Sequence, residues 1–207
     1  YPFHSITDAF VCGGNNTIKL AAGDYHEDVH IQGFSVVIEG EEGVVLHGTG
    51  NGPVVTVFGH EAAGTQLIGL ELTGGNGIGG GVFVSDSSSA VLTDCVITGN
   101  SGDLGGGVAC RNSSSAELVN CVVTGNTAAN GAGGLHLEGG SGSVSGSLIS
   151  GNTGRRGGAI FARNGATVEV LESSLLDNQA DDGGAIALEG GGLVLNLSKV
   201  VGNTATQ

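Results

Sequence analysis

From residue 65 to the end of the chain, short apolar stretches recur at regular intervals, separated by turns rich in glycine and asparagine. Three such stretches fall in each period of about 25 residues, and each alternates apolar and polar positions as a half-buried strand does. Strands this short cannot bury an apolar face alone, so the coils that contain them must stack on one another. The pattern predicts three parallel sheets around a filled aliphatic interior.

An asparagine anchors each repeat, with spacings of 24, 26, 26, 26 and 25 residues. The anchors are Asn76, Asn100, Asn126, Asn152, Asn178 and Asn203. We expect them to form a ladder of stacked amides at a turn that tolerates left-handed backbone. The Gly-Gly pairs that follow them predict a tight corner with positive φ.

The same register predicts which side chains point into the interior. Eight residues before each asparagine stand Ile68, Leu92, Leu118, Val144, Val170 and Leu195. Three residues before it stand Thr73, Ile97, Val123, Ile149, Leu175 and Val200. After the glycines come Val82/Val84, Val108/Cys110, Leu135/Leu137, Ile160/Ala162 and Ile186/Leu188.

The N-terminal stretch "TIKLAAGDYHEDVHIQGFSVVIEG" carries a G-x-Y-x-E-x-V-x-I pattern at residues 23–31 and resembles the early coils of the right-handed parallel β-helix (pectin-lyase-like) superfamily. "SITDAFVCGG", residues 5–14, resembles the short amphipathic helix that caps such a barrel. The resemblance implies an all-β solenoid of about 7–8 coils, forming one domain over residues 1–207. Within it we expect an N-terminal cap at 1–16, irregular early coils at 17–75, and regular repeats at 76–207.

The "GGAI" strings at 157–160 and 183–186 are similar to repeats of chlamydial polymorphic outer-membrane proteins and related surface proteins. Those families pair GGA[ILV] with F-x-x-N. Here the phenylalanine is replaced by Ile97, Val123, Ile149, Leu175 and Val200.

The string HEDVH at residues 26–30 matches the zinc-protease signature H-E-x-x-H. That signature needs a helix to bring both histidines to one zinc ion. Here Tyr25, Val29 and Ile31 alternate with polar residues, which predicts a strand that holds its histidines roughly 13 Å apart. We therefore expect no metal site and no other cofactor, with His26, Asp28 and His30 facing solvent. Glu27 shares the parity of the inward residues, which leaves a bend or a buried partner as alternatives.

A formal charge of −14, with only six Lys and Arg in 207 residues, disfavours nucleic acid and anionic membranes as partners. No apolar run approaches the roughly 20 residues of a membrane-spanning helix. Three N-glycosylation triplets begin at Asn15, Asn112 and Asn196. With the resemblance, these features predict a secreted or cell-surface protein.

The repeat register also predicts which charges stack. Arg111, Glu138, Arg163 and Glu189 occupy one position in successive coils, which makes a ladder of alternating sign along the axis. Arg155 and Arg156 lie one coil from Asp181 and Asp182, which gives every arginine an acidic neighbour. The simpler interpretation is that these pairs fix the coil register. The alternative is that Asp103, Arg155, Arg156, Asp181 and Asp182 form a carbohydrate-binding patch.

Cys95 and Cys121 occupy one position in adjacent coils, and Ser147, Ser173 and Ser198 continue the column. Two states fit this placement: free buried thiols, or a Cys95–Cys121 disulfide between parallel neighbours. No C-x-x-C pair is present to suggest a zinc site.

We expect a non-catalytic module with a structural, assembly or adhesion role, whose partners are other protein domains or subunits, or glycans. The chain stops at "VVGNTATQ", before a Gly-Gly strand, which leaves two alternatives: the natural protein continues past Gln207, or this uncapped coil docks end to end or at its C-terminal side. The competing function is a polysaccharide lyase, hydrolase or epimerase, because this fold hosts all three. A remote third is ice binding, for which Thr98, Thr124 and Ser150 stack until Leu176 interrupts the column.

Overall fold

The computed structural model describes residues 5–12, 16–60 and 64–207. Within these ranges the chain winds into a solenoid of parallel strands, as predicted from the repeat. The first sheet has eight strands: Asn16–Leu20, Val36–Gly40, Thr65–Ile68, Ser89–Thr93, Ser115–Val119, Ser141–Ser145, Thr167–Leu171 and Gly192–Asn196. The second sheet also has eight: Gly23–His26, Val44–His47, Glu71–Thr73, Val96–Thr98, Val122–Thr124, Leu148–Ser150, Ser174–Leu176 and Lys199–Val201.

The third sheet has seven strands: Val29–Gln32, Val55–Phe58, Val82–Val84, Val108–Arg111, Leu135–Glu138, Ile160–Arg163 and Ile186–Glu189. These counts agree with the expected seven to eight coils. Coil length varies near the N-terminus: Thr17 pairs with Val37, but Val37 pairs with Gln66, a much longer step.

A fourth, narrow sheet was not predicted. It lies between the second and third sheets, and we call it the corner sheet. Its strands are Ser101–Gly102, Thr127–Ala128, Thr153–Arg156, Gln179–Asp182 and Thr204–Ala205. These segments are too short and too polar to carry an apolar alternation, so sequence periodicity could not reveal them.

The interior is aliphatic and tightly closed. Ile38, Leu67, Leu92, Leu118, Val144 and Val170 form one column across the first sheet, and every one of them is fully buried. The pairs after the glycines are also fully buried from Val82/Val84 to Ile160/Ala162. Burial of these branched side chains, coil upon coil, is the main term that stabilises the solenoid.

The predicted corner with positive φ is only partly right. Gly157 and Gly183 do have positive φ, but Gly106 and Gly133 do not. Glycine is required at those two positions because a side chain would not fit. A Cβ on Gly106 would lie 2.6 Å from the main-chain nitrogen of Thr127 in the next coil. Gly80, Gly106, Gly133, Gly158 and Gly184 form one column, each against the corner sheet of the next coil.

The N-terminal helical cap is a 3-10 helix over Thr7–Cys12, inside the predicted 5–14. Ser5 Oγ accepts a hydrogen bond from the Asp8 N–H at 3.0 Å, as a helix-capping residue does. Ile6 is 2% exposed and Ala9 9% exposed, so the first turn is packed on the first coil.

The last coil has the opposite character. Leu188, Leu195 and Val200 stand at inward positions, yet each is 41–44% exposed, because no coil in the structure covers them. In the preceding coil the equivalent Ala162, Val170 and Leu175 are fully buried.

Candidate functional site

The asparagine ladder is a buried column of hydrogen bonds at the corner after the second sheet. Asn100, Asn126, Asn152 and Asn178 are at most 1% exposed. In each step the side-chain oxygen of one asparagine accepts both the main-chain N–H and the side-chain N–H of the asparagine in the preceding coil, at 2.9–3.0 Å. The side-chain nitrogen also donates to a main-chain carbonyl, as from Asn126 to Ile97 at 2.9 Å. The predicted stacking of amides is therefore present from Asn100 to Asn203.

One detail of that prediction was wrong. Asn76 is exposed, and among the described residues its side chain only accepts the N–H of its neighbour Gly77. Gly75 takes its ladder place and donates its N–H to Asn100 Oδ1 at 2.9 Å. The left-handed residue of each turn is the one before the asparagine, such as Gly125 with φ 64°.

The displaced anchor shifts the two strands before it by one residue. Leu67 and Leu72, rather than the predicted Ile68 and Thr73, pair with Leu92 and Ile97 and point inward. Both leucines are fully buried.

The cysteine and serine column forms a second ladder at the corner between the first and second sheets. Ser147 Oγ accepts the Cys121 N–H at 2.9 Å, and Ser173 Oγ accepts the Ser147 N–H at 3.0 Å. Cys95 and Cys121 are free, buried thiols in the structure, and each sulfur lies 3.3–3.4 Å from two main-chain carbonyls. The side-chain hydrogen bond that Cys121 donates to Cys95, followed by burial, raises the pKa of the Cys121 thiol, and the same bond lowers the pKa of Cys95.

HEDVH lies across a corner and not along one strand. His26 ends a strand of the second sheet and His30 belongs to the third sheet, so the single predicted strand was wrong. Glu27 stands at the bend, where its carboxylate accepts the main-chain N–H of Ile6 at 2.8 Å and of Thr7 at 3.2 Å. The partners of Glu27 are thus main-chain N–H groups of the N-terminal cap, which its carboxylate holds in place.

His26 and Asp28 of the motif each contact a residue of the next coil. The His26 ring stacks on His47 of the next coil with centroids 4.7 Å apart, and His47 Nε2 lies 3.0 Å from Asp24 Oδ1. Asp28 accepts the Thr49 N–H at 2.8 Å. Across residues 5–12, 16–60 and 64–207, no three His, Cys, Asp or Glu side chains are grouped to hold a metal ion.

The charge ladder is present on the third sheet in the predicted register, with Arg111, Glu138, Arg163 and Glu189 paired strand to strand. Glu138 Oε2 lies 3.0 Å from Arg111 Nε and 2.8 Å from Arg163 Nη2, so one carboxylate joins three coils. Desolvation opposes the charged form of Glu138. The hydrogen bond and charge of Arg163, with the charge of Arg111, outweigh it and hold the pKa of the carboxyl below its usual value.

The candidate patch is dispersed over the corner sheet. Arg156 stands in register with Asp182, as predicted, but its guanidinium pairs with Glu189 and lies 5.8 Å from the centre of the Phe161 ring. Arg155 makes no ion pair with any residue that the structure describes, so the predicted pairing of every arginine was wrong for this one. Side chains alternate along a strand, which sends Arg155 and Arg156 to opposite faces.

The other two acidic residues of the candidate patch, Asp103 and Asp181, have neutral hydrogen-bond partners. Asp103 accepts a hydrogen bond from Asn130 Nδ2, and Asp181 from Thr206 Oγ1. The patch is thus a row of separate contacts between adjacent coils.

The comparisons with known proteins agree with this geometry. The family model described as "Right handed beta helix region" matches residues 43–207. The chain belongs to the right-handed β-helix family. No curated protein matches the chain, and no solved structure does. No helix among the described residues is both long and apolar enough to cross a membrane.

The outer face of this β-helix along the first sheet carries a groove of about 550 Å³. Glu117 and Glu169 point from it two coils apart, with Ser143 in register between them. A parallel row of hydroxyl groups lines the same groove, formed by Ser89, Ser115, Ser141 and Thr167. Sequence reasoning did not single out this groove, although the register that predicted the ladders also aligns these residues.

Two features of the β-helix surface match the sequence. Asn112 and Asn196 are exposed, as glycosylation acceptors must be, whereas Asn15 lies outside the described residues. Thr98, Thr124 and Ser150 stack on the second sheet, and Leu176 then interrupts the column as expected for a surface not built to bind ice.

His136 is the residue that sequence reasoning missed. It stands on the outer parity of the third sheet, between the inward Leu135 and Leu137, yet it is fully buried. Its column reads Phe83, Ala109, His136, Phe161 and Ala187. A column of aromatic and small apolar residues at an outward position was the available signal that another segment covers this face.

Proposed function

We propose that this right-handed β-helix is a non-catalytic module of a secreted or cell-surface protein, with a structural, assembly or adhesion role. The observation that carries the proposal is the bridging of three coils by Glu138. A carboxylate held between two arginines, with its pKa lowered, is a poor general acid or base near neutral pH.

The test is an incubation with pectin, alginate and related uronans, with and without calcium. We expect no unsaturated or shortened products from the wild-type protein. A double variant, Arg155→Ala with Arg156→Ala, should lose less than about 1 kcal/mol of unfolding free energy, because exposed ion pairs contribute little.

Turnover of any of these substrates would contradict the non-catalytic proposal. Turnover that disappears in the double variant would in addition overturn the structural interpretation of these arginines.

The groove along the first sheet supports a second candidate function, that of a carbohydrate-active enzyme. Glu117 and Glu169 stand roughly 10 Å apart along the axis, if two coil spacings separate them. Inverting glycoside hydrolases hold their carboxyl pair about 6.5–9.5 Å apart, near this spacing. If turnover is found, its loss in Glu117→Gln and in Glu169→Gln, with an unchanged melting temperature, would establish this function.

A further inference from the structure

A segment of the corner covers His136 and isolates its ring from water. A Cβ added to Gly131 would lie 2.5 Å from His136 Nδ1, so the main chain of this segment passes directly over the imidazole. The Phe161 ring meets the imidazole edge-on at 5.2 Å between centroids. Neither ring nitrogen has a hydrogen-bond partner among the described residues. A buried imidazole of this kind is stable only while it is neutral.

The charges around the ring oppose its protonation. Arg163 and Arg111 stand on the neighbouring strands, and Glu138, on the same strand, is already shared between them. Asp103 approaches from the corner loop, but it is exposed to solvent. Arg156 reaches over the far side of Phe161. An imidazolium here would lie beside these arginines, while of the two nearby carboxylates Glu138 is already shared and Asp103 is solvated.

We propose that His136 is an acid-sensitive latch, whose protonation releases residues 129–131 from the outer face of the third sheet and leaves the stacked coils in place. This inference is independent of the proposed function. Release lets the imidazolium reach water. Breaking the corner contacts costs far less free energy than opening the aliphatic interior, so the opening is local. Main-chain bonds that hold this segment, such as Asn130 N–H to Asp103 O at 2.7 Å, would be exchanged for bonds to water.

Burial, aided by the charge of Arg163, lowers the pKa of His136 from 6.5 to about 4 in the folded protein. The closed form therefore binds fewer protons than the open form. Stability of the closed form is complete above pH 6.5 and is lost as the pH falls towards 4. The difference between these two pKa values corresponds to an opening constant that rises by up to about 300-fold.

Hydrogen exchange with mass spectrometry, corrected for the intrinsic pH dependence of amide exchange, tests the latch. Between pH 7 and pH 5 we expect the opening constant of residues 129–131 to rise about 20-fold, because pH 5 lies about 1.5 units below the unfolded pKa and pH 7 about 0.5 units above it. Residues 115–119 of the first sheet should show no such rise.

The variant His136→Phe repeats the aromatic residue of the next coil and should remove the pH response. The matched control His30→Gln changes an exposed histidine of the same sheet and should keep it. A wild-type response in His136→Phe would overturn the proposal, and so would a rise of equal size in residues 115–119.

If His136→Phe does not fold, NMR titration of the wild-type His136 ring decides the question. An apparent pKa near 4 supports the latch, and one above 6 overturns it.

Discussion

Replacing Asn126 with alanine should lower the free energy of unfolding by about 3–5 kcal/mol, among the largest losses expected for one side chain. The substitution removes the oxygen that accepts the N–H and the Nδ2–H of Asn100, both at 3.0 Å. It also removes the donor to the Ile97 carbonyl at 2.9 Å. These partners are enclosed in the corner, so water cannot replace the lost bonds. Chemical denaturation followed by circular dichroism measures the change.

The matched control is Asn76→Ala. The repeat spacing places Asn76 in the same column, but its exposed side chain accepts only the Gly77 N–H. We expect a loss below about 1 kcal/mol. Equal losses in the two variants would mean that the ladder includes Asn76 and that the structure has the first repeat in the wrong register.

Replacing Gly106 with alanine should cost about 3 kcal/mol or more, because the new methyl group meets main-chain atoms that have no room to move. The Cβ would lie 2.6 Å from both Gly133 O and Thr127 N. Each of these atoms belongs to a neighbouring coil, so relief of the clash must separate coils. A fall in melting temperature, with loss of strand signal at lower denaturant concentration, is the expected result.

Gly52→Ala is the control for this prediction. Gly52 has no positive φ and no atom within 4 Å of an added Cβ, so alanine there should be neutral or slightly stabilising. If Gly106→Ala were as harmless as Gly52→Ala, the close packing of the glycine column against the corner sheet would be refuted.

The repeat made the fold predictable because residue types with a strong structural preference recur at the same positions of each coil. Inward aliphatic positions, glycine and one asparagine recur in six successive segments, so errors in one segment are corrected by the others. The same register predicted the pairing of Arg111, Glu138 and Arg163, because cross-strand neighbours follow directly from alignment of coils.

Prediction failed where geometry depends on space and not on residue type. Asn76 looks like its five counterparts, but the shorter spacing to Asn100 puts Gly75 at the ladder position. The glycine pairs suggested a left-handed corner, whereas Gly106 is needed for its missing Cβ. Arg156 pairs with Glu189 on another sheet, which alignment of its own strand could not reveal.

The candidate site was harder still to predict, since its main features arise between distant segments. Glu27 looked like part of a metal motif and instead holds the N-terminal helix. His136 looked like an outward residue of a strand, and only the fold places residues 129–131 over it. A single sequence gives the parity of a side chain but not what covers it.

The buried asparagines stack the coils, and amide exchange of the Asn126→Ala variant, resolved by NMR, measures this role. The Asn100 N–H loses its acceptor in this variant, whereas the Asn152 N–H keeps Asn178 Oδ1 at 3.0 Å. We expect exchange at Asn100 to become at least about tenfold faster relative to Asn152, because one buried hydrogen bond is lost locally. Unchanged relative protection of Asn100 and Asn152 would contradict it.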